Sequence, residues 1–351
     1  TSFEFAWKFF HHAGAAIEGD YVYQLIWKIA NNLVAGGIIG IQIGLFLIDS
    51  IVESHQEFIG ENISSIVDYI VQYADVPDQY IEHYAFLLLK ELAENVPVWL
   101  TTQIDKIVEY IPKHLSHPEA LITLDKVLDL SKHPPSNLNV FISQMLNLVS
   151  QANTDQCEMI LMCISSSISA SYEPIEEIYP ALNQVLQEAF KTPELHKAVI
   201  HCFGNLAGIA PMSMSKDIEV LATLIQEEMK NEDVTVACEA VVALQKICKH
   251  LTISLAPFSQ TFVNQLFTMF GASKTALENF ATDEEIQSNI IALQTSVLVC
   301  LATFVEGYST NMSEESMMFY ALLEEMAKYQ RMHRWICLCI QISCGGFLLL
   351  E

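Results

Sequence analysis

The sequence is poor in charged residues, and poorest in basic ones. Charged side chains make up 17% of the 351 residues, and 17 lysines and arginines stand against 42 acidic residues, giving a formal net charge of −25. Proteins that bind nucleic acid neutralise phosphates with basic patches, so this balance argues against direct DNA or RNA binding and against binding to an anionic membrane. Two explanations of the acidity stay open: attraction of a basic protein partner, or solubility alone.

Signals for β-structure are also scarce. The chain has only 13 glycines and 11 prolines, and no Asn-Gly or Asp-Gly turn separates alternating apolar and polar runs. Long stretches instead place apolar residues at i, i+3, i+4 and i+7, which is the spacing of an amphipathic helix. Hydrophobic residues make up 52% of the chain, which indicates extensive burial and excludes extensive disorder. The sequence therefore predicts an all-α protein.

The most suggestive apolar run is too short to predict a membrane span. Leu33–Ile48 has 16 residues and contains Gln42, whereas a spanning helix needs about 20. Its glycines at positions 36, 37, 40 and 44 predict either a helix pressed against a neighbour or a break between two helices. The chain begins with Thr1 and without a basic leader segment, so we expect it to be part of a longer protein.

Neither cysteines nor histidines form a recognisable metal or disulfide pattern. The nine cysteines are scattered through apolar helical stretches, which indicates reduced, buried thiols in an intracellular protein. Cys337, Cys339 and Cys344 lack the spacing of a zinc site. His114 and His117 have no carboxylate at the spacing of a His-Glu-x-x-His motif. No metal ion or other cofactor is expected.

Motifs for nucleophilic catalysis and phosphate binding are missing too. Gly36, Gly37 and Gly40 follow no predicted strand and precede no Gly-Lys-Ser/Thr. The serines between Ser165 and Ser169 are not part of a Gly-x-Ser-x-Gly elbow. The sequence predicts that the protein is not an enzyme.

What the sequence does contain is a repeat of about 40 residues. Four helical segments share one spacing of apolar and small residues: Tyr84–Pro97, Lys197–Pro211, Ala237–Leu251 and Thr295–Ser309. Equivalent positions are Ile51, Leu92, Leu128, Ile168, Leu206, Ile247 and Phe304, separated by 41, 36, 40, 38, 41 and 57 residues. HEAT and armadillo repeats have periods of about 40–47 residues, so the pattern predicts one HEAT-repeat α-solenoid of about eight helix pairs over residues 1–351.

The last interval of the repeat is longer than the others. We attribute the extra residues to an inserted acidic loop, residues 271–285, in which Asp283, Glu284 and Glu285 precede the next helix. Acidic residues at this place favour the positive end of the helix dipole.

The order of the segments also predicts how the helices pair. We expect Leu195–Ala210 to pair with Asp217–Lys230, and Val234–Leu251 with Leu255–Phe270. Second helices of such pairs commonly line a concave wall, and those predicted here carry many acids. The candidate cargo-binding residues are Glu61, Asp68, Asp105, Glu109, Asp217, Glu227 and Glu228. The alternative is a solvated outer stripe.

A family resemblance rests on the pattern of helices and apolar residues in three segments: Ile81–Leu100, Thr123–Leu146 and Ile225–Phe270. In the last, a helix ending at Lys249–Leu251 is followed by Leu-Ala-Pro-Phe and a second amphipathic helix. On these segments the chain resembles the central and C-terminal HEAT repeats of importin-β superfamily nuclear transport receptors (karyopherins). Within that superfamily, the order and residue pattern of these helices are most similar to the transportin-SR branch.

The resemblance implies a receptor segment that holds protein cargo, with transport governed by the GTPase Ran. It also implies contact with Phe-Gly nucleoporins between outer helices, and shuttling between cytoplasm and nucleus through nuclear pores. The expected cargo is basic. A HEAT-repeat scaffold subunit of a phosphatase, vesicle coat or other complex is the alternative, and it would co-purify with stable subunits.

Overall fold

The computed structural model describes residues 20–114, 119–171, 174–279 and 283–308, together with His12. These residues form eighteen α-helices and six short 3-10 turns, with no strand among them. The all-α prediction is confirmed. Contacts divide the chain into two compact units, Thr1–Ser171 and Tyr172–Glu351. The single solenoid over residues 1–351 stays a prediction.

Ten of the helices belong to unit 1 and eight to unit 2. Those of unit 1 are α1 (Asp20–Leu33), α2 (Ile38–Asp49), α3 (Gln56–Glu61), α4 (Ile63–Ala74), α5 (Gln79–Asn95), α6 (Pro97–Leu100), α7 (Ile104–Tyr110), α8 (Ala120–Ser131), α9 (Leu138–Val149) and α10 (Thr154–Ser169). Those of unit 2 are α11 (Tyr179–Ala189), α12 (His196–Ile209), α13 (Pro211–Met214), α14 (Ile218–Glu228), α15 (Val234–His250), α16 (Thr252–Leu255), α17 (Ser259–Asn279) and α18 (Glu284–Tyr308).

The helices pair differently from the prediction. In unit 2 the hairpins are α11 with α12, α14 with α15, and α17 with α18; in unit 1 they include α4 with α5 and α9 with α10. The predicted pairing of α12 with α14 and of α15 with α17 is therefore wrong by one helix. The small-rich helices α2, α5, α8, α10, α12, α15 and α18 are the second members of their pairs, and the helices before them are the first members.

Short capped turns explain this pairing. Asp78, Asn153, Asp233 and Asp283 lie just before α5, α10, α15 and α18, and the side chain of each accepts hydrogen bonds from backbone N–H groups of the helix that follows. Such a cap satisfies donors that a helix start leaves free. The chain reverses within about five residues there, so the two helices on either side form a hairpin.

Second helices stack directly on one another within each unit. In unit 2 two second helices approach closely at Gly204 of α12, where a Cβ would lie 2.9 Å from Cα of Ala243 on α15. Many hydrogen bonds between neighbouring pairs join residues 36 to 42 positions apart, as in Gln42 to Asp78, Tyr69 to Ala30 and Cys163 to Leu121. The repeat period found in the sequence is thus the period of stacking.

The long final interval lies in helices instead of a loop. Residues 271–279, predicted to be part of an acidic loop, continue α17, and α18 begins at Glu284. Hydrogen bonds from Tyr308 to Thr252 and between Cys238 and Ser296 join residues 56 and 58 positions apart. These contacts align α15 along its length with the C-terminal half of α18. Because α15 has 17 residues and α18 has 25, the first turns of α18 extend past the start of α15.

Glycines break the chain between the first two helices and allow these helices to pack closely. The run Leu33–Ile48 is broken by a 3-10 turn, Val34–Gly36, and by Gly37, whose φ of 71° favours glycine. A Cβ on Gly40 would lie 1.7 Å from the carbonyl oxygen of Leu33, so α1 and α2 could not meet this closely with any other residue there. Both predicted roles of these glycines are present.

One helix in the described part of the chain, α18, is long and apolar enough to span a membrane by length and composition alone. It packs against α15 and α17, and core helices of globular proteins pass the same test.

Candidate protein-binding surfaces

None of the seven predicted cargo-binding acids lies on a second helix. In unit 1 they stand at the end of α3 and on α4 and α7, and in unit 2 they stand on α14 and the 3-10 turn before it: Glu61, Asp68, Asp105, Glu109, Asp217, Glu227 and Glu228. The helices that carry them were predicted to be second helices. They are first helices or the short segments leading into them, because the pairing is shifted by one.

All four of the predicted unit 1 acids are exposed, and Asp105 differs from the other three in its hydrogen bonds to Ser136. Glu61 lies at the C-terminus of α3. Asp68 accepts a hydrogen bond of 2.7 Å from Lys106 on the next first helix, and Glu109 lies 3.7 Å from Lys113 on its own helix segment. Exposed pairs of this kind contribute about 0–1 kcal/mol, so these acids are available to a partner.

Two other acids hold neighbouring pairs together. Asp105 accepts hydrogen bonds from the backbone N–H and the hydroxyl of Ser136, and these bonds lower the pKa of its carboxyl. Asp217 accepts hydrogen bonds of 3.1 Å from both the Tyr179 hydroxyl and the Asn183 amide. Their carboxylates are used within the stack.

Glu228 is buried and is therefore not a surface acid. Its Oε1 lies 3.1 Å from Nδ1 of His196, and its Oε2 accepts a hydrogen bond of 2.8 Å from Asn231. The ring of His196 stacks on Phe190 and its Nε2 donates to the Phe190 carbonyl. Its neighbour Glu227 is exposed. The helical period of α14 explains the difference, since successive residues point about 100° apart.

A cluster of acids that the sequence analysis did not single out lies on the second helices of unit 1 and in the turn after α2. It comprises Glu53, Glu91, Glu94, Asp125 and Asp129, and we call it the acidic surface; Lys90, Lys126 and Lys132 offset part of its charge. Glu91 and Glu94 occupy the last turn of α5, and Asp129 the last turn of α8, where neither helix has a basic residue. Helix C-termini carry partial negative charge, so acids there intensify the local field.

The carboxylates of this surface are crowded. Burial raises the pKa of Glu91, and the nearby charges of Glu94 and Glu53 raise it further. The capping residue Asp78, just before α5, was the sequence signal that could have identified α5 as a second helix.

A groove lies between the first helices α11 and α14 of unit 2. It is lined by Gln187, Phe190, Glu219, Val220, Thr223, Leu224 and Glu227. Val220 is 58% exposed, so an apolar wall faces solvent beside two carboxylates.

The described residues contain no group of three histidine, cysteine or acidic side chains placed to hold a metal ion. His114 instead lies between carboxylates of Asp75 and Glu82, at 3.2 and 3.4 Å. Burial raises the pKa of the Cys248 thiol to about 12, which disfavours a reactive thiolate. The segment with Cys337, Cys339 and Cys344, and His117, lies outside the described residues.

No protein-family model matches the sequence, and neither does any curated protein. Several solved structures, however, superpose on the fold of this chain. Importin beta superposes with a TM-score of 0.62 at 14% identity, covering 87% of this chain and 45% of that one. The karyopherin Kap121p bound to the SUMO protease Ulp1p gives 0.56 at 13% identity, covering 91% and 33%. An engineered protein gives 0.55 at 13% identity, covering 86% and 74%.

The chain spans less than half the length of the two karyopherins. Identities this low show fold and nothing finer, and they do not single out the transportin-SR branch. The predicted fold class and the resemblance at the level of the superfamily fold are both confirmed. The chain has the all-α HEAT-repeat solenoid fold that the importin beta and Kap121p structures share.

Proposed function

We propose that this chain is the protein-binding part of a nuclear transport receptor and that it holds a basic cargo segment on the acidic surface of unit 1. The HEAT-repeat fold supports a binding role, because stacked repeats offer extended surfaces and the described part of the chain offers no metal site. In this proposal the intact protein shuttles between cytoplasm and nucleus, and Ran governs cargo release.

The acidic surface is the observation that carries the proposal. Glu91 and Glu94 stand near the negative end of α5, and burial together with the charges of Glu94 and Glu53 raises the pKa of Glu91, so this crowding costs stability in the free protein. A lysine- or arginine-rich segment would relieve that repulsion. The acids first predicted as the cargo site make the weaker candidate, since Glu228 is buried and Asp105 and Asp217 bind their own neighbours.

The double variant Glu91→Gln/Glu94→Gln is expected to bind a lysine-rich peptide about tenfold more weakly than wild type at low ionic strength. The change removes two charges and keeps the shape of both side chains. Fluorescence anisotropy of a labelled peptide measures the effect, and it should fade near 1 M salt, where the Debye length is about 3 Å.

Glu61→Gln/Glu109→Gln is the matched control, because it removes the same charge from exposed first-helix positions of the same unit. Equal losses in both variants would mean that net charge alone attracts the peptide. A larger loss in the control would restore the acids first predicted. A stoichiometric partner that stays bound when Ran–GTP is added would favour the scaffold alternative.

We further propose that the groove between α11 and α14 takes the phenylalanine of a Phe-Gly nucleoporin repeat. Val220 and Leu224 supply an apolar wall, and the groove lies between adjacent first helices. Val220→Asp is expected to abolish capture of the chain by immobilised Phe-Gly repeats, since it places a charge where an aromatic ring would be desolvated. Val140→Asp, at a similarly exposed site on α9, should leave capture intact. Loss in both variants would contradict this assignment.

A further inference from the structure

The second helices α12 and α15 of unit 2 carry an excess of positive charge. Their charged residues are Lys197 on α12, and Glu239, Lys246 and Lys249 on α15. Three lysines thus face one glutamate in a chain of net charge −25. His201 and His250 lie on the same two helices, and we call these six residues the basic surface.

Glu239 is the one carboxylate among the six residues of this surface, and it pairs with His201. Nδ1 of His201 lies 2.7 Å from Oε1 of Glu239. Burial acts to raise the pKa of Glu239, but the hydrogen bond and charge of His201, together with Lys246 and Lys197, outweigh burial and lower it. Glu239 therefore stays ionised, and His201, Lys246 and Lys197 all stabilise its charge.

Lys246 has no carboxylate of its own. Its ammonium donates a hydrogen bond of 2.5 Å to the neutral amide oxygen of Asn205 on α12, and burial lowers its pKa. Lys197 is exposed and lies close enough to Glu239 and to the capping residue Asp233 to help lower the pKa of both carboxyls. Neither Lys197 nor the exposed Lys249 forms any of the ion pairs found among the described residues. Partial burial of a cation without a matched anion costs free energy.

The neighbouring second helix does not supply the missing charge. α18 packs on α15, and between Ile286 and Val305 its sequence has no charged residue. Its acids, Glu284, Glu285 and Glu306, are confined to its two ends.

We propose that the basic surface binds an acidic segment of a protein partner, whose carboxylates lie across Lys197, Lys246 and Lys249. Charge complementarity identifies the occupant. A short acidic segment fits better than a nucleic acid, because the field of the whole chain repels a long polyanion. This inference does not depend on a transport role, and it concerns a surface of opposite sign from the one assigned to basic cargo.

The test is the affinity of the 351-residue chain for a short fluorescein-labelled peptide of glutamate and aspartate, measured by anisotropy at low ionic strength. Lys197→Glu/Lys249→Glu is expected to weaken binding by about tenfold. Both lysines are exposed, so circular dichroism should show an unchanged fold.

Lys191→Glu/Lys230→Glu is the matched control. It makes the same charge change at exposed positions just after the first helices α11 and α14, and it should weaken binding less than about twofold. Three results would overturn the proposal: no binding by wild type, equal losses in both double variants, or an oligonucleotide that competes as well as the peptide. Binding of the lysine-rich peptide should survive the Lys197→Glu/Lys249→Glu change, which separates this inference from the proposed function.

Discussion

Glu228→Ala is expected to lower the free energy of unfolding of unit 2 by about 3 kcal/mol, because it removes one partner of a buried ion pair. Nε2 of His196 donates to a carbonyl and Nδ1 faces the carboxylate of Glu228. Without Glu228, Nδ1 of His196 loses its partner and the amide of Asn231 loses its acceptor. Buried polar groups left without a partner carry a desolvation cost.

Chemical denaturation and hydrogen exchange at the α11–α12 and α14–α15 turns measure this effect. Glu227→Ala is the control, since it changes the same charge one residue away at an exposed position, and it should change stability little. The two neighbours were predicted to act together in cargo binding. If their alanine variants proved equally stable, the pair between His196 and Glu228 would not be a structural element.

Gly204→Ala is expected to destabilise unit 2 by about 1–2 kcal/mol, although alanine is the better helix former. The added Cβ would meet Cα of Ala243 at 2.9 Å and its Cβ at 3.1 Å. Backbone atoms cannot rotate away as a flexible side chain can, so α12 and α15 would have to move apart. Contacts along the whole interface between these two second helices would then loosen.

Gly208→Ala, one turn later on the same helix, should act in the opposite direction. A Cβ there meets nothing closer than His250 at 3.5 Å, so the gain in helix propensity, up to about 1 kcal/mol, remains. Thermal denaturation of the two variants gives the comparison. A stabilised Gly204→Ala would show that the spacing of the second helices is not set by this contact.

The sequence predicted the helical class, the stacking period and even the unequal last interval. It did not predict which helix of each repeat comes first, because a period of about 40 residues is the same whichever helix begins the count. The capping residues held the missing information. Asp78, Asn153 and Asp233 each mark the short turn inside a hairpin.

The error in pairing carried over to the site. Once α14 was taken for a second helix, Asp217, Glu227 and Glu228 became cargo candidates, and the crowded acids Glu91 and Glu94 were passed over. Burial of Glu228 could not be foreseen either, because it depends on His196 in the preceding hairpin, 32 residues away. Charge counts along the sequence reveal neither the crowding of Glu91 and Glu94 nor the contact between Glu228 and His196, because both depend on how the helices pack.

The longer last pair has a consequence for any partner that follows the stack. Where stacked helix pairs have equal lengths, a ligand of repetitive sequence meets equivalent positions on each pair and can bind in several registers. The first turns of α18 project past α15, and Ser288 and Ala292 stay exposed there. At about 1.5 Å per residue, eight additional residues make a step of roughly 12 Å. The last described pair therefore offers such a ligand a second helix that is longer than the second helix of the pair before it.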